Sequence, residues 1–272
     1  MNILHAIPLG ILQGATEFLP ISSSGHLALA HAFFGVDEVG LAFDVALHLG
    51  TLVAIVGYFR RDFLIMAKSL IFFRDQADEV RELRRIFAFI CLATVPGVVA
   101  GLALGDIAEY HLRGPLLVAT VLGAVGLLLL WAEKAGGHDR HFSSITLKDA
   151  LLIGLAQALA IVPGVSRSGI TMTAGLFRGL NRQAVARFSF LLSAPIIFGA
   201  GVYKIPEILQ QGGEDGQTTF FVAGFLSAAV SGYVVIAFLL RYIRSRSFEI
   251  FAYYRLALAG LIYGAFFLGA NF

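Results

Sequence analysis

Long apolar segments separated by short polar connections dominate the hydrophobic pattern of this chain. Six of them are continuous and are each about 18 to 22 residues long, which is the length that a helix needs to cross the core of a bilayer. The predicted spans are approximately 41–59, 86–105, 115–132, 186–204, 219–240 and 250–269. The pattern therefore predicts an all-α polytopic membrane protein with six transmembrane helices.

Two further apolar segments, about 3–34 and 148–178, are interrupted near their centres by Pro, Gly and Ser. Each half is too short to span a bilayer as a helix. Non-helical backbone at membrane depth is tolerated where protein or a water-filled cavity covers it. Both segments are therefore predicted to form re-entrant helix-loop-helix hairpins.

Composition agrees with a membrane protein and excludes some functions. The chain has 272 residues, of which 58% are hydrophobic and 14% are charged, whereas soluble domains are about one-quarter charged. Its basic residues are interspersed with acids and do not form a clustered face, so no nucleic-acid partner is expected. No Walker sequence supports ATP-driven transport.

The distribution of Lys and Arg predicts the orientation in the membrane. None precedes the first span, seven lie in 60–85, one follows at Arg113, and seven lie in 134–187. One then follows at Lys204, three lie in 241–246, and the C-terminal tail has none. By the positive-inside rule, both termini and the first hairpin lie outside, and the second hairpin enters from the cytoplasm.

This topology divides the single domain, residues 1–272, into two repeats of about 1–133 and 147–272. A hairpin followed by three spans crosses the membrane an odd number of times, so the second repeat must be inverted. In inverted repeats the discontinuous helices face each other near the midplane. The two loop tips are therefore expected to meet in one buried site.

The two loops have related sequences. QGATEFLPISSSGH begins at Gln13 and QALAIVPGVSRSG begins at Gln157, and an offset of 144 aligns Gln, two Ser and Gly in both. The first loop alone carries the carboxylate Glu17 and the imidazole His26. The second alone carries Arg167. The same turn is thus expected twice, with complementary chemistry.

Each loop has features of a phosphate site. Helix starts after the serines present unpaired backbone N–H groups and the positive end of the helix dipole. The guanidinium of Arg167 suits bidentate contact with phosphate. The residues expected to bind the substrate phosphate are Ser22, Ser24, Gly25, Ser166, Ser168 and Thr171. For the serines, helix capping alone is the alternative explanation.

The motifs EFLPISSSGH, preceded by Gln13, and PGVSRSGIT resemble the two signatures of the undecaprenyl-pyrophosphate phosphatase family, also called the bacitracin-resistance family. FDVALHLGTLVA and FSFLLSAP also match family blocks, so the resemblance covers nearly the whole chain. It implies hydrolysis of a polyprenyl diphosphate in the bacterial cytoplasmic membrane with a divalent cation, Mg²⁺ or Ca²⁺. Its catalytic residues fall here on Glu17, Ser23, His26 and Arg167.

Two mechanisms are compatible with these residues. In the first, Ser23 attacks the terminal phosphorus, His26 or Glu17 takes its proton, and Gln13 and Glu17 hold the metal. In the second, metal-bound water attacks and Ser23 only binds phosphate. Asp44 and His48 lie one turn apart and are expected either to line the same cavity or to form a polar pair between helices.

Other interpretations remain. A transporter or flippase of the lipid phosphate would also use inverted repeats and a cationic site. The two loops carry different groups: a nucleophile, a base and a carboxylate in the first and an arginine in the second. This combination favours an enzyme. A phosphatidic-acid-phosphatase pattern is disfavoured, because no His and Asp closely follow Arg167. A homodimer is left open. Gly97, Gly101 and Gly105 are expected to form a ridge for helix packing.

Overall fold

The computed structural model describes residues 3–34, 40–71, 77–112, 114–212 and 217–269. Eleven α-helices form in these residues: α1 Ile3–Phe18, α2 Ser23–Phe34, α3 Gly40–Tyr58, α4 Arg60–Ile71, α5 Asp78–His111, α6 Pro115–Ala135, α7 Leu147–Ala158, α8 Arg167–Phe177, α9 Arg182–Gly212, α10 Gln217–Tyr242 and α11 Glu249–Phe267. Short 3₁₀ turns cover Phe142–Ser144 and Leu159–Ile161. The all-α prediction is confirmed for the described residues.

Five of the helices, α5, α6, α9, α10 and α11, are long and apolar enough to cross a membrane. A sixth span exists only if α3 and α4 count together, because the chain bends by 79° between Ala42–Tyr58 and Arg60–Leu70. The structure thus has five to six candidate spans among the described residues. Both chain termini and Arg113, which enter the orientation prediction, lie outside the described residues.

Both interrupted segments break where the sequence places Pro, Gly and Ser. The first break separates α1 from α2 at residues 19–22. The second separates α7 from α8, with a 3₁₀ turn at 159–161 and irregular backbone to Ser166. The flanking helices have 16, 12, 12 and 11 residues, so each is shorter than a membrane span.

The helices of the two halves are interleaved. Helix α1 packs chiefly on α10, which also packs on α3, while α7 packs chiefly on α5, which also packs on α9. The pairs α3 with α9 and α6 with α11 join the halves directly. The largest apolar core contains side chains from both halves, including Phe18, Ile55 and Phe190.

Two glycines 144 residues apart allow close helix contacts in the two hairpins. A Cβ on Gly10 of α1 would lie 2.4 Å from the Gly224 carbonyl oxygen of α10. A Cβ on Gly154 of α7 would lie 2.5 Å from the Ala93 carbonyl oxygen of α5. Since no Cβ fits at such distances, each hairpin needs glycine at this position. In the predicted ridge, Gly97 packs against Gln157 and Ile196, whereas a Cβ on Gly101 or Gly105 would meet no described residue within 4 Å.

Candidate active site

The two helix breaks have the same backbone geometry. Ser22 and Ser166 have positive φ values of 76° and 69°, which are uncommon for residues other than glycine. The Ser22 hydroxyl accepts a hydrogen bond from the Gly25 N–H at 3.3 Å, and that of Ser166 accepts one from the Gly169 N–H at 3.1 Å. Both serines therefore cap the helix that follows, as expected for capping residues.

The two loop tips contact each other. The Ser168 hydroxyl donates to the Leu19 carbonyl oxygen at 2.9 Å. The guanidinium of Arg167 donates from Nη2 to Oε1 of Glu17 at 2.5 Å and from Nη1 to the Ser189 carbonyl oxygen at 3.1 Å. The carboxylate contributed by the first loop and the cation contributed by the second thus form an ion pair across the junction.

Glu17 is the centre of the polar cluster. Its Oε2 accepts hydrogen bonds from the Ser23 hydroxyl at 2.7 Å and from Gln13 Nε2 at 3.0 Å. Nε2 of His48 lies 3.5 Å from the same oxygen. The Glu17 side chain is only 6% exposed, so its charge is stabilised by these donors and by Arg167 instead of by bulk water. The cluster places a hydroxyl, a carboxylate and a guanidinium in direct contact.

His26 makes different contacts. Its Nδ1 donates to the Ser22 carbonyl oxygen at 2.7 Å, and because a carbonyl only accepts, Nε2 is the nitrogen that accepts from the Tyr254 hydroxyl at 2.7 Å. The rings of His26 and Tyr254 stack with centroids 5.6 Å apart. Both ring nitrogens are therefore engaged away from Ser23.

The remaining predicted residues are arranged around this cluster. Ser24 is exposed and lies 3.3 Å from the Ser22 hydroxyl. The Thr171 hydroxyl donates to the Arg167 carbonyl oxygen at 2.8 Å and lies 2.7 Å from Ser189 Oγ, so it faces α9 and not the loop tips. The Asp44 carbonyl oxygen accepts from His48 Nδ1 at 2.7 Å, which turns the other nitrogen of that ring toward Glu17.

The site offers oxygen ligands suited to a hard divalent cation. Gln13 is fully buried, and its Oε1 has no hydrogen-bond partner among the described residues, which leaves that oxygen available beside the Glu17 carboxylate. The described residues contain no cluster of three or more His, Cys, Asp or Glu side chains suited to a metal. Mg²⁺ is commonly held by one or two carboxylates together with waters and substrate phosphates, and Gln13 with Glu17 fits that kind of partial shell.

A comparison with known families identifies the family of this chain. The family model described as bacitracin resistance protein BacA matches residues 6–261. The chain belongs to the BacA family. Among curated BacA-like relatives, a protein of Moorella thermoacetica is 46% identical over 98% of this chain and 99% of its own length. One of Rubrobacter xylanophilus is 48% identical, covering 96% and 97% respectively. Both are named undecaprenyl-diphosphatase.

Three residues near this candidate site, Ser189, Tyr254 and Arg255, were not predicted from the sequence. Arg255 donates to backbone carbonyls of both helix breaks. It carried a usable signal, because an ionisable residue inside a predicted membrane span is a functional candidate by default. Ser189 and Tyr254 lack such a signal, since a serine or tyrosine in an apolar helix is unremarkable without its spatial neighbours.

Proposed function

We infer that this protein is an integral membrane undecaprenyl-diphosphate phosphatase, which hydrolyses undecaprenyl diphosphate to undecaprenyl phosphate and phosphate. The observation that carries the inference is the contact of Ser23 with Glu17, and of Glu17 with Arg167 from the opposite loop. The family and the names of its relatives point to the same reaction. Several long apolar helices and this substrate place it as a multi-pass protein of the inner membrane, where its role in cell-wall synthesis and bacitracin resistance fits the family.

The arrangement meets the electrostatic requirement of the reaction. A diphosphate carries about two to three negative charges, and phosphoryl transfer depends mainly on positioning and charge stabilisation. Arg167 uses two donors in its contacts with Glu17 and Ser189, and a guanidinium has five. Three N–H donors of Arg167 therefore have no partner among the described residues, and they can donate to phosphate oxygens. The starts of α2 and α8 add the positive ends of two helix dipoles.

The hydrogen bonds favour Glu17 over His26 as the group that takes the proton of Ser23. Ser23 Oγ attacks the terminal phosphorus while its proton passes to Oε2 of Glu17, and the bond to the bridging oxygen breaks with its electron pair on undecaprenyl phosphate. Water then attacks the phosphoserine and leaves one of its protons on a phosphate oxygen, while Glu17 returns the proton that it holds to Ser23 Oγ as the bond from phosphorus to Oγ breaks and phosphate leaves. His26 fixes the first turn through the Ser22 carbonyl oxygen.

Gln13 and Glu17 are the residues that would hold a divalent cation at this site. Such a cation, when bound, supplies positive charge to the phosphate oxygens. The alternative in which water attacks directly keeps all these residues but reduces Ser23 to a phosphate ligand. Nε2 of His48 lies 3.5 Å from Oε2 of Glu17, the oxygen that also accepts from Ser23. The imidazole is therefore a second group near enough to exchange a proton with this carboxylate.

The topological part of the proposal concerns the orientation of the halves. We propose that α1–α2 and α7–α8 are re-entrant hairpins of an inverted repeat, with the site open to the periplasmic side. The reciprocal packing of α1 on α10 and of α7 on α5 supports a repeat. The matched turns at Ser22 and Ser166 support it independently.

Phosphate release by the purified, detergent-solubilised protein tests the function. With undecaprenyl diphosphate and Mg²⁺, the wild type is expected to release phosphate, and EDTA is expected to abolish release. Glu17→Gln and Arg167→Ala are each expected to lower kcat by about 10³-fold or more, since each removes a charge that acts at the reacting phosphate.

Arg241→Ala is the matched control, because Arg241 is an exposed arginine at the end of α10 and should leave kcat unchanged. Size-exclusion profiles establish that each variant is folded. No release by folded wild type with any divalent cation would refute the phosphatase and favour a transporter of the same lipid.

A further inference from the structure

Arg255 is a buried guanidinium inside a membrane span. It lies in α11, within the apolar sequence FAYYRLALAG, and its side chain has no exposed surface. Ionisable groups at membrane depth are costly and are usually paired with one another or with backbone carbonyls. The position of Arg255 therefore requires an explanation from its contacts.

All four hydrogen bonds of Arg255 go to backbone carbonyl oxygens. Nε donates to Leu122 of α6 at 3.1 Å, and Nη1 donates to Pro20 at 3.2 Å. Nη2 donates to Gly164 at 2.8 Å and to Val165 at 3.1 Å. Pro20 lies in the first helix break and Gly164 and Val165 lie in the second, so a single side chain bridges both turns and α6.

Only a guanidinium provides this combination of donors. Arginine has five N–H donors in a planar fork, and four of them are used here. No carboxylate is among the partners of Arg255 in the described part of the chain. Buried backbone carbonyl oxygens outside regular helices need hydrogen-bond donors from elsewhere, and Arg255 supplies them here.

The surrounding backbone is shaped to admit this side chain. A Cβ on Gly169 would lie 3.2 Å from Arg255 Nη1, and a Cβ on Gly126 of α6 would lie 3.2 Å from Arg255 Cβ. Both distances are tighter than ordinary contacts, so a larger residue at either position would press on the Arg255 side chain. Glycine at both positions leaves the space that Arg255 occupies.

We propose that Arg255 is a positioning residue that sets the distance and orientation of the two loop tips. Pro20 is three residues before Ser23, and Val165 is two residues before Arg167. Three of the four hydrogen bonds of Arg255, those to Pro20, Gly164 and Val165, therefore form a clamp whose two ends lie close to residues of the site. The guanidinium thereby aligns the Ser23 hydroxyl from one loop with the Arg167 cation from the other. This inference rests on the proposed phosphatase function.

The test uses two variants of the full-length protein, Arg255→Met and Arg255→Lys. Methionine has similar length but no donor, and lysine keeps the charge with three donors on one atom. Arg255→Met is expected to lower kcat per folded molecule about 100-fold, because misplacement of catalytic groups by about 1 Å has effects of that size. Arg255→Lys is expected to recover about tenfold of this loss, and KM is expected to change much less than kcat.

Amide hydrogen exchange measures the positioning itself. Exchange is expected to become faster at both 19–26 and 164–170 in the Arg255 variants, while the rest of the chain exchanges at the wild-type rate. Arg140→Lys is the matched control, because Arg140 also donates to backbone carbonyls of separate segments, those of Arg178 at 2.8 Å and Ser144 at 2.7 Å. It should lower thermal stability without changing kcat per folded molecule.

The outcomes distinguish failure of the phosphatase proposal from failure of the positioning role of Arg255. Absence of phosphate release in the wild type refutes the phosphatase, whereas faster exchange confined to both turns still supports the clamp. The clamp is overturned if Arg255→Met keeps the wild-type kcat per folded molecule. Faster exchange that is spread evenly along the chain overturns the clamp as well. Should neither variant fold, Gly126→Ala displaces Arg255 slightly from the α6 side, and an unchanged kcat in that variant overturns it as well.

Discussion

Ser23 and Glu17 are in direct hydrogen-bond contact, so a proton can pass from the hydroxyl to the carboxylate without an intermediary. The serine lies at the first position of α2 and the carboxylate at the end of α1, so the turn of residues 19–22 brings them within 2.7 Å. A carboxylate shielded from water and adjacent to the hydroxyl needs little reorganisation when the proton moves. The residue that decides between the two mechanisms is therefore Ser23.

Replacing Ser23 with alanine separates covalent catalysis from direct attack by water. If Ser23 is the nucleophile, Ser23→Ala lowers kcat by about 10³-fold or more while KM changes little, because the attacking atom is removed. Phosphate release under saturating substrate measures this. The control is Ser227→Ala, since Ser227 Oγ donates only within its own helix, to the Ala223 carbonyl oxygen at 2.7 Å. Turnover within about tenfold of wild type would assign the attack to water.

At the scale of single residues, sequence reasoning found groups whose chemistry is rare in membranes. Glu17 and Arg167 were identifiable because buried charges need partners, and the structure pairs them. The contact between His26 and Tyr254 was not identifiable, because it joins residues 228 positions apart through the packing of α2 near α11. Partner choice for a neutral group depends on tertiary geometry that no local pattern contains.

At the scale of elements, the second hairpin is closed at its base by an ion cluster. Asp149, in the first turn of α7, is fully buried. It accepts from Arg140 Nη2 at 2.6 Å and from Arg178 Nε at 2.8 Å. Arg140 precedes α7 and Arg178 follows α8, so a single carboxylate holds the entry and the exit of the hairpin together.

This cluster predicts a pH-dependent stability. Burial alone raises the pKa of Asp149, but hydrogen bonds from Arg140, Thr146 and Arg178 outweigh burial and hold that pKa well below its usual range. A carboxyl whose pKa is lowered by folding stabilises the protein above its unfolded pKa of about 3.9 and loses this effect as the pH falls further. Asp149→Asn is expected to destabilise the protein at pH 7 by about 1–3 kcal/mol.

Thermal unfolding in detergent at several pH values checks this expectation. The wild-type midpoint should fall toward that of Asp149→Asn below about pH 4. Asp139→Asn is the control, because Asp139 is an exposed carboxylate of the same connection. A constant difference between wild type and Asp149→Asn at every pH would contradict the assignment of this stability to Asp149.

Elements were predicted where local chemistry determines them. Pro, Gly and Ser end helices by well-understood mechanisms, and the breaks at 19–22 and near 162–166 lie where the sequence places these residues. The 79° bend between α3 and α4 was not predicted. The residue between the two helices, Phe59, is neither Pro nor Gly, so the sequence gives no local sign of a break there. Of the predicted glycine ridge, Gly101 and Gly105 meet no neighbour among the described residues, because glycine spacing shows which helix face permits close packing but not which helix occupies it.

At the scale of the whole molecule, the orientation can be tested with single cysteines. In a Cys91→Ser background, Ser24→Cys and Ser245→Cys place thiols at two exposed positions. We expect a membrane-impermeant thiol reagent to label Ser24→Cys from the periplasmic side and Ser245→Cys only after entry to the cytoplasm. Ser22 is unsuitable because it is completely buried. The opposite pattern would invert the proposed topology.

The sequence indicated two similar halves but not how they associate. Apolar periodicity identifies a helix face to be buried without naming its partner. The observed partners are crossed, since the hairpin of each half packs chiefly on a helix of the other half. That arrangement depends on close contacts between helix backbones, such as Gly10 against Gly224 and Gly154 against Ala93.

The crossed packing has a consequence for biogenesis. About 200 residues of chain separate the end of α1 from the start of α10, on which α1 chiefly packs. At about 5–20 residues per second, the ribosome needs about 10–40 s to synthesise that interval. During this interval the first hairpin, which contains the buried residues Gln13 and Glu17, lacks the helix on which it finally packs, α10. We therefore expect the membrane-insertion machinery to keep the α1–α2 hairpin away from lipid until α10 has been synthesised.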